Sequence, residues 1–334
     1  MRIIGGIGIG GAAPVVFAMG ADSFPVSKRG AWLSYVAMFW MVGSVYAALT
    51  AWLCFVDQSS SSSNDVWRFY AIICALPAIF TFVLSFYIYE SPKYLIQRGR
   101  YDEASAVLTA INGEEVRLTL SITSSIPETT SWRILLQPPL LLRFMLLMLI
   151  WFSLCFGSYG TVFRLRTTPT LTTELPLSGL STWVSMLFTD LGFDSPYADQ
   201  LLFALASLPG NLVAVFFIET IGRARLLSSG MLLAGCCSLG FALFPNTQSA
   251  VILFTALYNA FSTAGWNALD CLSAESFPTQ VRGAAVGSFS SFGRIAAICA
   301  QYAFGYWERD VATVLWLTSA LMICGALLAF FLPS

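Results

Sequence analysis

Residues 21–34 read Ala-Asp-Ser-Phe-Pro-Val-Ser-Lys-Arg-Gly-Ala-Trp-Leu-Ser, and residues 274–287 read Ala-Glu-Ser-Phe-Pro-Thr-Gln-Val-Arg-Gly-Ala-Ala-Val-Gly. Seven of the fourteen positions are identical, and Asp22 is matched by Glu275. Each copy joins two apolar runs, so what is duplicated is a helix–turn–helix unit in equivalent surroundings. Self-similarity at this spacing implies two related structural halves.

Composition says what kind of halves they are. The chain is 57% hydrophobic and 10% charged, with a mean hydropathy of +0.74, against roughly 45–50% and about 25% in soluble domains. Its apolar runs repeat at about 20 residues, the length that crosses ~30 Å of hydrocarbon. This is the signature of an integral membrane protein with the lipid bilayer as its partner. A net charge of −1 argues against nucleic acid, which calls for a clustered basic surface. The eight cysteines lie almost all in apolar runs without zinc spacing, as small packing residues do. There is no histidine, which excludes a histidine proton relay and removes the usual general base and metal ligand. No enzyme, cofactor or metal is expected. No cleavable signal peptide is apparent, because Met1 and Arg2 open directly into a Gly-rich apolar stretch.

Spans are predicted over 3–20, 31–56, 67–89, 144–163, 197–218, 226–244, 248–269, 284–304 and 311–332. The connections at 21–30, 90–143, 219–225 and 270–283 carry eleven Lys and Arg, and the opposite set carries five. The basic set is expected in the cytoplasm, which puts the C-terminus inside. The run Ser59 to Ser63 marks a flexible outer loop. Three domains follow: 1–89 with three spans, a cytoplasmic linker at 90–143, and 144–334 with six. In the linker, Ser91-Pro92 should start a short helix ended by Gly99, and Tyr101 to Asn112 a second, stopped by Gly113. The second repeat copy follows four spans after the linker and the first follows one, so equivalent halves would place three more spans ahead of Met1.

Several stretches resemble the major facilitator superfamily, in the branch of the synaptic vesicle glycoprotein 2 group and the sugar and organic-ion porters. Gly6 to Pro14 with Asp22, Pro25, Arg29 and Gly30 is similar to the family's fourth helix and following loop. Phe39 to Gly43 is similar to the fifth. Glu90-Ser91-Pro92-Lys93-Tyr94-Leu95 resembles the P-E-S-P-R signature, with Tyr89 for the leading proline. Ile150 to Gly160 is similar to the seventh helix. Glu219, Gly222, Arg223 and Arg225 resemble the D-x-x-G-R-R/K loop, with Glu for Asp and Ala224 breaking the basic pair. Trp266 to Asp270, Glu275, Phe277 to Thr279 and Arg282 resemble the synaptic vesicle glycoprotein 2 pattern. The resemblance implies an all-α major-facilitator-type bundle with about nine transmembrane helices here against the family's twelve. It also implies alternating access and a missing first D-x-x-G-R-R loop. The missing first helix often carries the coupling carboxylate in proton-coupled relatives.

Two sets of residues stand out chemically. Asp22 with Arg29, and Glu275 with Arg282, can pair with each other or with a neighbouring helix end, where arginine forms bidentate bonds. With Gly30, Glu90, Glu219, Gly222 and Arg223 they form a gating or structural set. Polar residues inside spans are costly and therefore informative. Asn259, Thr263, Trp266 and Asp270 share one helix face, with Asn267 beside it. Gly287, Ser290, Ser291, Arg294 and Gln301 form a second stripe. The substrate-binding candidates are Asn259, Trp266, Asn267, Asp270, Arg294 and Tyr159. Arg294 lies mid-span, where an acid such as Asp270, backbone carbonyls, the Ser290 and Ser291 hydroxyls or an anionic substrate group would compensate it. Tyr159, Trp151 and Trp40 line a cavity or pack. The Gly5 to Gly11 stretch lacks the strand a nucleotide fingerprint needs, and reads as a close helix approach.

The expected function is transport of a small polar or charged organic solute, with proton or ion coupling unresolved. The alternative is a transporter-like scaffold or receptor, or an incomplete product without transport activity. Plasma membrane and intracellular vesicle membrane both remain open.

Overall fold

A computed structural model describes residues 2–25, 28–55, 66–113, 132–138, 140–160, 196–243, 248–306 and 311–332. The described residues form eleven α-helices and the 3-10 turn Trp132–Leu136, and contain no strand. Nine helices are long: α1 Arg2–Ser23, α2 Arg29–Phe55, α3 Val66–Ser85, α6 Leu140–Gly160, α7 Pro196–Ile221, α8 Arg223–Leu243, α9 Gln248–Glu275, α10 Thr279–Tyr306 and α11 Val311–Phe330. The two short ones are α4 Pro92–Gln97 and α5 Tyr101–Asn112. Each long helix falls on one predicted span. Five of them, α1, α2, α3, α6 and α10, combine the length and apolarity that crossing a membrane requires.

The boundaries differ in an instructive way. The connection predicted at 270–283 is almost entirely helical: α9 runs to Glu275 and α10 starts at Thr279. Pro278 causes the break. It lacks an N–H donor and suits the position just before a helix. The third span, expected to reach residue 89, ends at Ser85. The Ser59–Ser63 loop and the ends of the predicted spans at 56, 161–163 and 244 lie outside the described residues.

The short helices follow the chemistry of their caps. Ser91 Oγ accepts from Tyr94 N at 3.4 Å, Pro92 takes the first turn, and Gly99 at φ +75° ends the helix. Helix α5 stops at Gly113, whose φ of +73° is a left-handed value glycine adopts without strain.

Helix α6 lies against α10 and α11, α8 against α9 and α11, and α7 between α2 and α9. Helix α1 lies against α10 and α9, while α3 touches α2. Leu147, Ile150 and Leu154 of α6 are fully buried, packed with Phe277 and Phe289, whose rings stand 5.6 Å apart. Because lipid is as apolar as leucine, helix association in a membrane relies on close packing at small residues. Gly230 on α8 faces the Phe261 carbonyl of α9, and a Cβ there would lie 3.0 Å from it. Gly210 on α7 sits directly against the Ala260 backbone of α9. By contrast, the Gly5–Gly11 stretch makes no close approach among the described residues: a Cβ at any of its glycines meets nothing within 4 Å. Gly10 and Gly11 instead line a cavity.

Candidate functional site

The duplicated turns meet at one end of the bundle, and their charges cross between elements. Asp22, at the end of α1, forms an ion pair with Arg282 Nη1, in the first turn of α10. Asp22 Oδ1 also accepts from Thr279 Oγ1 at 3.2 Å, and Oδ2 from Ser91 Oγ at 3.4 Å. One carboxylate therefore ties the first repeat copy, the second copy and the cap of α4. Both side chains are nearly sealed from solvent, at 6% and 8% exposure. Lys93 stands next to this cluster on α4. Burial lowers its ammonium below the usual lysine range, and the Asp22 charge opposes that shift.

Glu275 does not pair with Arg282. Arg223 Nε donates to Glu275 Oε2 at 3.0 Å and Nη2 to Oε1 at 3.4 Å, a bidentate grip that also holds Glu219 through Nη1 at 2.7 Å. Glu219 Oε1 further accepts from Ala31 N, in the first turn of α2, at 3.2 Å. A carboxylate at a helix N-terminus is favoured by the unpaired amides there. Gly222, at φ +92°, turns the chain from α7 into α8 and brings Glu219 and Arg223 together. Gly30 makes room for this cluster, since a Cβ there would lie 2.8 Å from Glu219 Oε1. Its repeat equivalent Gly283 has open space and lines the cavity.

The pairings of Asp22 with Arg29 and of Glu275 with Arg282, one of two options in the sequence, are thus replaced by pairing with neighbouring helix ends. Arg29 is half-buried, and among the described residues its Nε has no hydrogen-bond partner. Glu90 is exposed and lines a cavity of about 1170 Å³ with Asp22, Ser91, Gly283 and Gly287.

The mid-span candidates divide into a buried set and an open set. Trp266 Nε1 donates to Ser158 Oγ at 3.0 Å, and Ser158 bonds Ser262 at 3.2 Å. Trp151 Nε1 donates to Ser273 Oγ at 2.9 Å, with its ring edge-on to Trp266 at 5.4 Å. These indoles have satisfied polar tips and act as walls. Asn267 is buried and returns its amide to the Thr263 carbonyl of its own helix at 3.0 Å. Asn259 and Asp270 are half-buried, and Trp40 is exposed.

Arg294 stands apart from these. Its Nη1 donates to the Tyr159 hydroxyl at 3.2 Å, and the guanidinium carbon lies 5.6 Å from the Tyr159 ring centre. Gln301, two turns further along α10, donates Nε2 to the Tyr159 carbonyl at 2.7 Å. Among the described residues no ion pair joins Arg294 to Asp270. The sequence placed Gln301 in the α10 stripe but gave no sign that it holds Tyr159. Thr279 belonged to the stretch that carries the family resemblance, but nothing tied it to Asp22, and Ser158 gave no sign of its contact with Trp266, since hydroxyls are common in apolar helices and only contact distinguishes them.

This architecture defines a multi-pass α-helical membrane protein of the major facilitator type. The chain belongs to the Sugar (and other) transporter family, whose pattern matches residues 1–333. It is 24% identical to human synaptic vesicle glycoprotein 2C, over 99% of this chain and 65% of the relative. It is 25% identical to rat synaptic vesicle glycoprotein 2A, over 99% and 64%. The chain therefore spans about two thirds of the length of these curated relatives. In fold it is similar to the proton:xylose symporter XylE bound to 6-bromo-6-deoxy-D-glucose, with a TM-score of 0.76 and 20% identity over 99% of this chain and 70% of that one. Against the partially occluded inward-open XylE from E. coli the TM-score is 0.68 at 19% identity, over the same shares of the two chains.

Proposed function

We propose that this chain carries a small polar or charged organic solute across a membrane by alternating access. In this reading the domains are 1–89 and 144–334 with the linker 90–143 between them. The observation that carries it is the Asp22–Arg282 pair, which joins the two repeat copies at one end of the bundle. Ion pairs between packed rigid units are the contacts that a rocking motion breaks and remakes. Trp266, Asn259, Tyr159 and Arg294 supply the polar lining, and the clasp closes one mouth. Family membership supports transport over the scaffold or receptor alternative. The 6-bromo-6-deoxy-D-glucose bound to XylE motivates hexoses as first probes. Reconstituted in liposomes, the chain should accumulate a labelled hexose or hexose derivative above protein-free controls. No protein-dependent counterflow of any polar solute tried would overturn the reading.

The clasped end is the basic end and faces the cytoplasm in this proposal, following the charge bias of the connections. A reporter after Ser334 should then read cytoplasm, and a tag in the Ser59–Ser63 loop should be reached from the opposite side. Both on one side would refute the orientation. Plasma membrane and intracellular vesicle membrane are the two candidate locations in this reading.

A further inference from the structure

Of the seventeen Lys and Arg, sixteen belong to connections or span edges; Arg294 lies near the middle of the 28-residue helix α10. At 1.5 Å per residue it sits about 22 Å along the helix from Thr279. Bare cations at that depth are unfavourable, so they face cavities or partners. The partners found are neutral: one donor reaches the Tyr159 hydroxyl, and the ring lies beside the guanidinium. Neither carries a compensating charge. Asp270, on the neighbouring helix, lies only five residues from the end of α9 at the clasped side, and among the described residues no bond joins it to Arg294. The Ser291 hydroxyl is also engaged elsewhere, donating to the Gly287 carbonyl at 2.8 Å.

Position on the helix adds a second, independent observation. Gly287 and Gly283, which line the cavity of about 1170 Å³, precede Arg294 by seven and eleven residues. Those spacings return to the same helix face at 3.6 residues per turn. Arg294 is exposed on that face. The site is also braced from behind, because Gln301 holds the Tyr159 carbonyl and Trp266 holds Ser158, next to Tyr159. The result is a positioned guanidinium on the open wall, beside a hydroxyl, with donors that meet no partner among the described residues.

We propose that Arg294 and the Tyr159 hydroxyl form an anion subsite, and that the transported solute carries a carboxylate, sulfate or phosphate group. A guanidinium fork binds such oxyanions bidentately, and the neighbouring hydroxyl adds a third donor if its own proton turns to the anion. This rests on the transport reading above and narrows its substrate class from polar solutes to anionic ones. A lipid headgroup phosphate offers the same chemistry, so the test separates the two sources.

The test uses the full chain in phosphatidylcholine nanodiscs, titrated with D-glucuronate, its neutral methyl ester, D-glucose, inorganic sulfate and inorganic phosphate. Binding is read by tryptophan fluorescence. Glucuronate should bind at least tenfold tighter than its ester. Arg294→Gln should abolish that preference with the unfolding midpoint unchanged, Arg294→Lys should retain part of it, and Tyr159→Phe should reduce it. Because these variants are compared as the ratio of acid to ester, general loss of folded protein does not imitate the result. Equal binding of acid and ester, or no Arg294-dependent binding of any anion in the set, overturns the subsite. Loss of glucuronate binding when phosphatidylglycerol is added assigns the arginine to lipid and overturns the solute claim. Counterflow is measured separately in liposomes. Arg294-dependent binding without movement keeps the subsite and rejects transport; equal movement of acid and ester in both the native chain and Arg294→Gln keeps transport and rejects the subsite.

Discussion

Asp22→Asn should lower the stability of the folded protein by about 3–5 kcal/mol, the range for removing one partner of a buried ion pair. The reason is what remains: Arg282 would be left nearly sealed from solvent with its charge uncompensated, and its Nε already has no partner among the described residues. Arg282→Gln should cost a similar amount from the other side. The double variant should cost clearly less than the sum, because it removes the orphaned charge along with the pair. A reciprocal exchange, Asp22→Arg with Arg282→Asp, should recover part of the loss. Unfolding midpoints in detergent measure all four. Glu103→Gln is the control, since the Arg100–Glu103 pair is more than half exposed and such pairs contribute little. A strictly additive double variant would show that the two residues act separately, and the clasp would have to be abandoned.

The same variants bear on function. If the clasp holds one mouth closed in the proposed cycle, weakening it shifts the population toward states open at that end. A cysteine at Gly283, on the cavity wall, should then label faster in Asp22→Asn than in the native sequence. Unchanged labelling with lowered stability would make the pair a brace rather than a gate.

Much of this arrangement was legible in the sequence because local rules govern it. Ser91-Pro92, Gly99 and Gly113 are cap chemistry, readable from neighbouring residues alone, and both linker helices formed where those residues put them. The long helices came from apolar runs of membrane length. The partners of the charges were less accessible. Asp22 lies seven residues from Arg29 and 260 from Arg282, and nothing in the spacing favours the distant residue. The choice depends on how α1 lies against α10, a packing outcome. The same holds for Arg294 and Tyr159, 135 residues apart. The Gly5–Gly11 expectation went astray for a related reason. Small residues permit close approach, but approach needs a helix opposite, and among the described residues the closest helix-backbone approaches occur at Gly210 and Gly230 instead.

Gly210→Ala should be the most damaging Gly-to-Ala change among the described glycines. Helix α7 crosses α9 so closely that an added Cβ would overlap the Ala260 carbonyl oxygen and lie 2.7 Å from its carbon and 2.9 Å from its Cα. These are backbone atoms of a helix and cannot rotate away, so α7 must move bodily. That movement would also disturb the contact at the far end of α7, where Glu219 accepts from Ala31 N and pairs with Arg223. Overpacking a well-filled core costs about 1–3 kcal/mol when side chains can yield, and here the obstruction is main chain. The expected result is loss of most monodisperse protein, and a large fall in unfolding midpoint for what remains. Gly265→Ala on α9 provides the comparison. Its Cβ would meet Met231 at 3.8 Å and 3.9 Å, ordinary contact, and alanine in a helix interior is favoured over glycine by about 0.5–1 kcal/mol. Gly265→Ala should therefore leave yield and midpoint level or slightly raised. If Gly210→Ala matched Gly265→Ala in both, α7 and α9 could not cross at that distance, and the placement of Glu219 beneath α2 would fall with it.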